Sequence, residues 1–243
     1  MKYEIIRNDI TNMDVDAIVL PSNSKLKEGS GTSNAIFEKA GRKELVKELK
    51  QFGTVEVGAS VPTLGYELDA TFILHTVVPK WKDGKHQEYD LLSSAYLSTL
   101  ILADNMSCES LAFPLLAAGN NGFDLKVALE VAKQSIESYT PTNKLSTVYL
   151  VVYDREVMAL LRASGEMVSE EINESYVLKR NLELKLPIEK VKEEGEEVMQ
   201  KFLADGIQMV RGFFDNPENR KKLIEEGAKI AVKAAVEVAK QAK

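Results

Sequence analysis

Twice in the first 140 residues a short apolar run is followed by a glycine-containing loop and then by helical periodicity. The first unit is residues 15–20, a loop over 23–33 carrying Gly29 and Gly31, and a helical pattern of Ala35, Ile36, Ala40, Leu45, Val46 and Leu49. The second is residues 110–116, then Ala117-Ala118-Gly119-Asn120-Asn121-Gly122, then a helix over 125–139. A strand that feeds a helix returns to the sheet parallel to itself, so such alternation forces helices onto the sheet faces. Further strands are predicted over 3–7, 57–63, 71–78 and 145–153, and a helix over 89–106. Pro79 ends the fourth strand. The expectation is a three-layer α/β/α domain around a mixed, mostly parallel sheet, with ligands at the carboxyl ends of the strands.

Beyond Tyr153 no further strand run is found and the chain reads as mixed-charge helix. Ile188, Val191, Val198, Phe202, Ile207, Val210 and Phe214 follow an amphipathic spacing weakened at Gly195 and Gly206. Asn216 and Pro217 read as the cap and first turn of a last helix reaching Lys243. The expected division is therefore 1–165 for the α/β domain and 166–243 for an α-helical extension that serves self-association or a partner.

Charge and composition remove several classes of function. The 31 basic and 37 acidic residues give a net charge of −6, and no Lys/Arg run is long enough to track a nucleic-acid polymer. No apolar run approaches the roughly 20 residues of a membrane span, and the N-terminus lacks the pattern of a signal peptide. Cys108 is the single cysteine and can form no internal disulfide, which suits a cytoplasmic setting. With one cysteine and two histidines no metal site is expected, and no cofactor. His75 within a strand reads as structural, His86 in a charged loop as solvated, and Trp81 as core.

Two glycine loops that each follow a strand and open a helix suit an elongated diphosphate, because backbone N–H groups approach closely and helix dipoles favour the anion. Either loop alone is equally an ordinary connection. Asp9, just after the first strand, is placed either to accept from an adenine amino group or to cap a turn.

These residues carry a resemblance. Asn8-Asp9-Ile10-Thr11 followed by Val15-Asp16-Ala17-Ile18-Val19 resembles the opening of the macro domains, the ADP-ribose-binding α/β modules. The likeness continues in order through Asn23, the Gly29-Ser30-Gly31 loop, Ala40-Gly41, Gly65-Tyr66-Glu67-Leu68, the run from His75 to Trp81, and Ala112-Phe113-Pro114. It spans about residues 1–154 and leaves the tail outside.

The resemblance implies a role for each matching position. Asp9 would bind the adenine amino group with the Ile10 amide beside it, and Tyr153 would lie against the base. Gly29, Ser30, Gly31, Thr32 and Ser33 would form the first phosphate and distal-ribose loop. Ala118, Gly119, Asn120, Asn121, Gly122 and Phe123 would form the second. Asn23 matches the asparagine that contacts the distal ribose, and it is the one catalytic candidate.

Departures from the family pattern bear on catalysis. Ser33 stands where many hydrolases of the family carry a water-orienting aspartate, and a hydroxyl of ordinary acidity is a poor general base. Asn121 replaces an aromatic, Ala117-Ala118 a serine-threonine pair, and Ser30 interrupts a glycine triplet. Three readings follow: a module that binds ADP-ribose or an ADP-ribosylated ligand; a mono-ADP-ribosyl or O-acetyl-ADP-ribose hydrolase in which Asn23 orients the ribose and substrate phosphate assists water; or a repurposed or closed pocket with the tail acting as an interaction module.

Overall fold

The computed structural model describes residues 1–184. The chain forms two compact units, Met1–Ile172 and a second that begins at Asn173. In the first unit the strands are β1 (Lys2–Arg7), β2 (Ala17–Ser22), β3 (Ser60–Leu64), β4 (Phe72–Val77), β5 (Ser110–Pro114), β6 (Thr147–Val152) and β7 (Val168–Glu170). Its helices are α1 (Thr32–Ala40), α2 (Arg42–Leu49), α3 (Glu88–Asn105), α4 (Leu125–Ser138) and α5 (Arg155–Ala163), with a 3-10 turn at Ile10–Asn12. The sheet order is β3-β4-β2-β5-β6-β1-β7, parallel throughout except for the antiparallel β3–β4 pair. This is the expected mixed, mostly parallel sheet of an α/β fold.

Alternation along each central strand builds a core on each face. Ala17, Val19, Leu74, Leu111, Phe113, Val148 and Leu150 pack with residues of α3, α4 and α5. Ile18, Leu20, Ile73, Ala112 and Val151 pack with Ile36, Phe37, Ala40, Leu45 and Leu49 of α1 and α2. Strands buried on both faces read as continuous apolar runs, which is why they stand out in the sequence.

Three sequence expectations are corrected. The helical run over 35–49 is two helices, because Gly41 sits at φ 91°, a conformation that ends α1 and turns the chain into α2. The strand predicted from Val57 starts at Ser60, since Gly58 (φ 89°) turns there and donates its N–H to the Val77 carbonyl at 2.8 Å. The reading of everything beyond Tyr153 as helix misses β7, a three-residue strand paired to β1 through Ile5–Val168, Ile6–Ser169 and Arg7–Glu170. It lacks an apolar run because its two last residues are exposed.

The second unit opens with α6 (Glu174–Glu183), capped by the Asn173 side chain accepting from the Tyr176 N–H at 3.0 Å. The helices expected around Gly195 and Gly206 and from Pro217 to Lys243 lie outside the described residues. Among the described residues no helix is long and apolar enough to cross a membrane.

Candidate functional site

All the parallel strands point one way, so the segments that follow β1, β2, β5 and β6 share one edge of the sheet. From β2 the chain passes to β4 on one side, and later to β5 on the other. That reversal of direction opens a crevice between the segments leaving β2 and β5, the place where open α/β sheets take ligands. Every site residue named from the sequence falls on this edge: Asp9 and Ile10 after β1, Tyr153 after β6, residues 23–33 after β2 and residues 118–123 after β5. β1 and β6 are neighbours, which brings Asp9 and Ile10 alongside Tyr153.

Asp9 is buried and caps the 3-10 turn, its Oδ1 accepting from the Thr11 N–H at 3.0 Å and the Thr11 hydroxyl at 2.7 Å. The capping alternative is therefore realised, and it holds the carboxylate in a set orientation. Ile10 is buried behind it and Tyr153 is half-buried.

The loop after β2 is organised by its own side chains. Asn23 Oδ1 accepts from the Lys25 and Lys27 N–H groups at 3.1 and 3.3 Å, while its Nδ2 donates to the Lys27 carbonyl at 2.7 Å. Asn23 thus shapes the loop, and Leu26 (φ 52°) plugs into the core beneath it. Ser33 Oγ accepts from the Gly29 N–H at 2.9 Å, so this hydroxyl holds a loop amide. Gly31 precedes α1 at φ 60°, ψ −126° and provides no side-chain cap, so the first turn of α1 opens toward the crevice with N–H groups that suit an anion. Arg42 at the start of α2 ties the loop from outside, reaching Glu28 at 3.0 Å and Asn34 at 2.6 Å.

The loop after β5 is anchored at both ends. The Leu116 N–H donates to the Tyr96 hydroxyl at 2.9 Å, and Tyr96, fully buried on α3, packs against Phe113. Burial pushes the Tyr96 phenol far above its ordinary value and keeps it protonated. Further on, the Asn121 carbonyl accepts the Trp81 N–H at 2.8 Å, and Gly122 closes a turn onto the Gly119 carbonyl at 3.1 Å. Phe123 is buried edge-on against Trp81, and Tyr89 makes a second edge contact with the indole. Trp81 is half-buried, packed against the core at its edge, where it also props this loop. Asp124 then caps α4 through the Lys126 and Val127 N–H groups.

The two loops meet. Asn120 Nδ2 donates to Ser30 Oγ at 2.8 Å, across a separation of 90 residues. Neither Tyr96 nor Trp81 stood out in the sequence as a support for the site, because their contacts span distances that no local pattern records.

The two histidines lie outside this arrangement. His75 is fully buried on β4 and bonds Thr63 Oγ1 through Nε2 at 2.8 Å; burial lowers its pKa to about 3 and keeps it neutral. His86 is solvated and bonds Asp83 at 2.9 Å. Among the described residues Asp83, His86 and Glu88 form a group with metal-ligating atoms within 4.8 Å. The Glu88 carboxylate is already committed, accepting the N–H groups of Lys82, Asp83, Gly84 and His86. Burial opposes its charge, but these backbone bonds prevail and hold its pKa at about 2. The cluster is a lock on the turn that precedes α3.

Comparison with known proteins agrees with this geometry. The macro domain family model matches residues 19–132. A macro domain-containing protein of Listeria monocytogenes is 36% identical over 178 residues, which is 71% of this chain and 99% of that protein. An O-acetyl-ADP-ribose deacetylase of Salmonella typhimurium is 36% identical over 165 residues, 65% of this chain and 91% of the enzyme. Among solved structures, the Oceanobacillus iheyensis macrodomain with ADP superposes with a TM-score of 0.61 at 27% identity, covering 65% of this chain and 87% of that one. The Trypanosoma brucei macrodomain in complex with ADP-ribose gives 0.57 at 25% identity, over 67% of this chain and 68% of that one. In fold, in the order of its motifs and in sequence, this chain belongs to the macro domain family.

Proposed function

We propose that the chain binds ADP-ribose, or a metabolite or protein that carries it, in the crevice between the loops after β2 and β5. The observation that carries this reading is the convergence of those loops at the reversal point of the sheet, with Asp9 and Tyr153 in line on the neighbouring strands. Asp9, held by Thr11, accepts from the adenine amino group, and Tyr153 covers the base. The diphosphate lies against residues 29–33 and 118–122, where backbone N–H groups and the first turn of α1 meet negative charge. Asn23 sets the course of the first loop beside the distal ribose.

Titration calorimetry with ADP-ribose tests the pocket directly. Saturable heat is expected, and Asp9→Ala should weaken it at least tenfold, since a charge-assisted hydrogen bond of about 1.5–3 kcal/mol is lost. Heat that is absent, or unchanged by Asp9→Ala, refutes the assignment.

A second reading, deacetylation of O-acetyl-ADP-ribose, is favoured by the relatives that bear that name. Ser33 argues against efficient catalysis, because its oxygen accepts the Gly29 N–H and a serine hydroxyl is a poor base. Release of acetate from O-acetyl-ADP-ribose decides between them: turnover lost in Asn23→Ala supports the enzyme, and binding without product supports the module. Either occupant could be free or protein-linked, and the residues from 166 on are proposed to serve self-association or partner contact, tested by the oligomeric state of the chain with and without them.

A further inference from the structure

The loop side chains differ in what they hold. Asn23 and Ser33 bond their own loop, and Asn121 offers its carbonyl to Trp81. Ser30 and Asn120 instead bond each other across the crevice, at 2.8 Å and both exposed. The groups involved are an amide N–H and a hydroxyl, each able to donate to an anion.

The surroundings leave room for them to part. A Cβ added at Gly31 or at Gly119, the residues next to this pair, would meet no atom within 4 Å. Gly119 has neither a left-handed φ nor a crowded neighbour to require a glycine in this arrangement, so a closer approach is open to it than any the structure contains. The segment bearing Asn120 runs from Ala117 at φ 62° to Gly122 at φ 79°; Tyr96 holds it just before Ala117 and Trp81 holds the Asn121 carbonyl inside it, so the movement open to the pair is rotation of the two side chains.

We propose that the Ser30–Asn120 bridge is a donor pair that a diphosphate displaces, making these two residues determinants of specificity for a nucleoside diphosphate over a monophosphate. This rests on the proposed binding of ADP-ribose in the crevice. On entry the Asn120 N–H and the Ser30 O–H turn from each other to phosphate oxygens. One neutral hydrogen bond is exchanged for two charge-assisted ones, which are shorter and stronger. A nucleoside monophosphate seated by Asp9 and Tyr153 reaches the crevice with one phosphate and leaves the bridge intact.

The test compares ADP-ribose, ADP and AMP on the full chain by titration calorimetry and stopped-flow binding. It uses the unaltered protein, Ser30→Ala, Asn120→Ala, the double variant and Asn120→Asp, with thermal melting to confirm that each is folded. Each alanine variant should weaken ADP-ribose and ADP about three- to tenfold, the loss of one charged hydrogen bond being partly offset by the bridge that no longer has to be broken, and leave AMP unchanged. Both should also speed ADP-ribose association, and the double variant should speed it no further than either single one, because there is one bridge to open. Asn120→Asp keeps an acceptor for the Ser30 hydroxyl but sets a carboxylate against the phosphates, so its loss for the diphosphates should exceed that of Asn120→Ala. Equal effects on AMP and on the diphosphates, or none on either, overturn the proposal while leaving ADP-ribose binding in place. Failure of the unaltered chain to bind any of the three refutes the binding function itself, and the bridge proposal with it.

Discussion

Glycines that look alike in the sequence do different work at the residue scale. A Cβ on Gly65 would fall 1.8 Å from the Ala70 carbonyl oxygen, so the turn joining β3 to β4 is closed to any side chain. Gly119 has open space where its Cβ would be. Gly65→Ala should therefore lower the melting temperature markedly, whereas Gly119→Ala should melt as the unaltered chain does and bind ADP-ribose more weakly; calorimetric scanning and titration of both variants check the contrast. His75 predicts the pH dependence. Its pKa falls from 6.5 unfolded to about 3 folded, so between those values the unfolded state binds the extra proton and stability declines as pH falls. Well below pH 6.5 the slope for this one proton is about 1.4 kcal/mol per pH unit. Glu88, held at about 2 against its ordinary 4.5, adds loss of stability in the same direction below pH 4.5. Denaturant melts from pH 7 to pH 5 should show the decline, and His75→Gln should flatten it over that range. The placement of Asp9 and of the two glycine loops at one edge of the sheet was readable because each is a short motif next to a strand end. Tyr96, Trp81 and Arg42 were not, since each supports a loop from 14 or more residues away, as with Tyr96 and Leu116, 20 residues apart.

Strands dominate what could be read at the scale of elements. Runs buried on both faces, such as β2 and β6, give an apolar signal that needs no knowledge of the partner strand. The break at Gly41 and the short β7 carry no such signal, because a left-handed glycine inside a helical periodicity and a three-residue exposed strand both depend on what packs beside them. The family motif around Asp16 shows how elements are clipped together. Its Oδ2 accepts from the Glu109 N–H at 2.7 Å, the Ser110 N–H at 2.9 Å and the Ser110 hydroxyl at 3.0 Å, which joins the entry of β2 to the entry of β5. This clip lies at the amino-terminal edge of the sheet, opposite the crevice. Asp16→Ala should cost about 1–3 kcal/mol of stability, with ADP-ribose affinity unchanged at a temperature where the variant is folded; a denaturation curve and a titration on the same sample measure both.

At the scale of the molecule, the expected boundary at 165 falls just ahead of β7, and the compact unit runs through Ile172. Arg7, buried at the end of β1, pairs with Glu170 of β7 at 3.4 Å, and Arg162 of α5 bonds the same carboxylate. A chain of residues 1–172 should melt close to the full protein, and one of residues 1–165 should melt lower, as seen by scanning calorimetry, because the buried guanidinium loses this partner. The two outermost strands share a further property. β3 is five residues long with Pro62 in its middle, which has no N–H to offer, and β7 is three residues long and ends in a carboxylate. A row of unpaired N–H and C=O groups is what lets one sheet recruit another, and here neither flank presents a long flat row. Colloidal behaviour thus depends on a segment that contributes almost nothing to the core: with β7 gone, Ile5, Ile6 and Arg7 lose their partner and the whole six-residue β1 is left as a bare flank, and the shortened protein should assemble edge to edge at concentrations where the longer one stays dispersed.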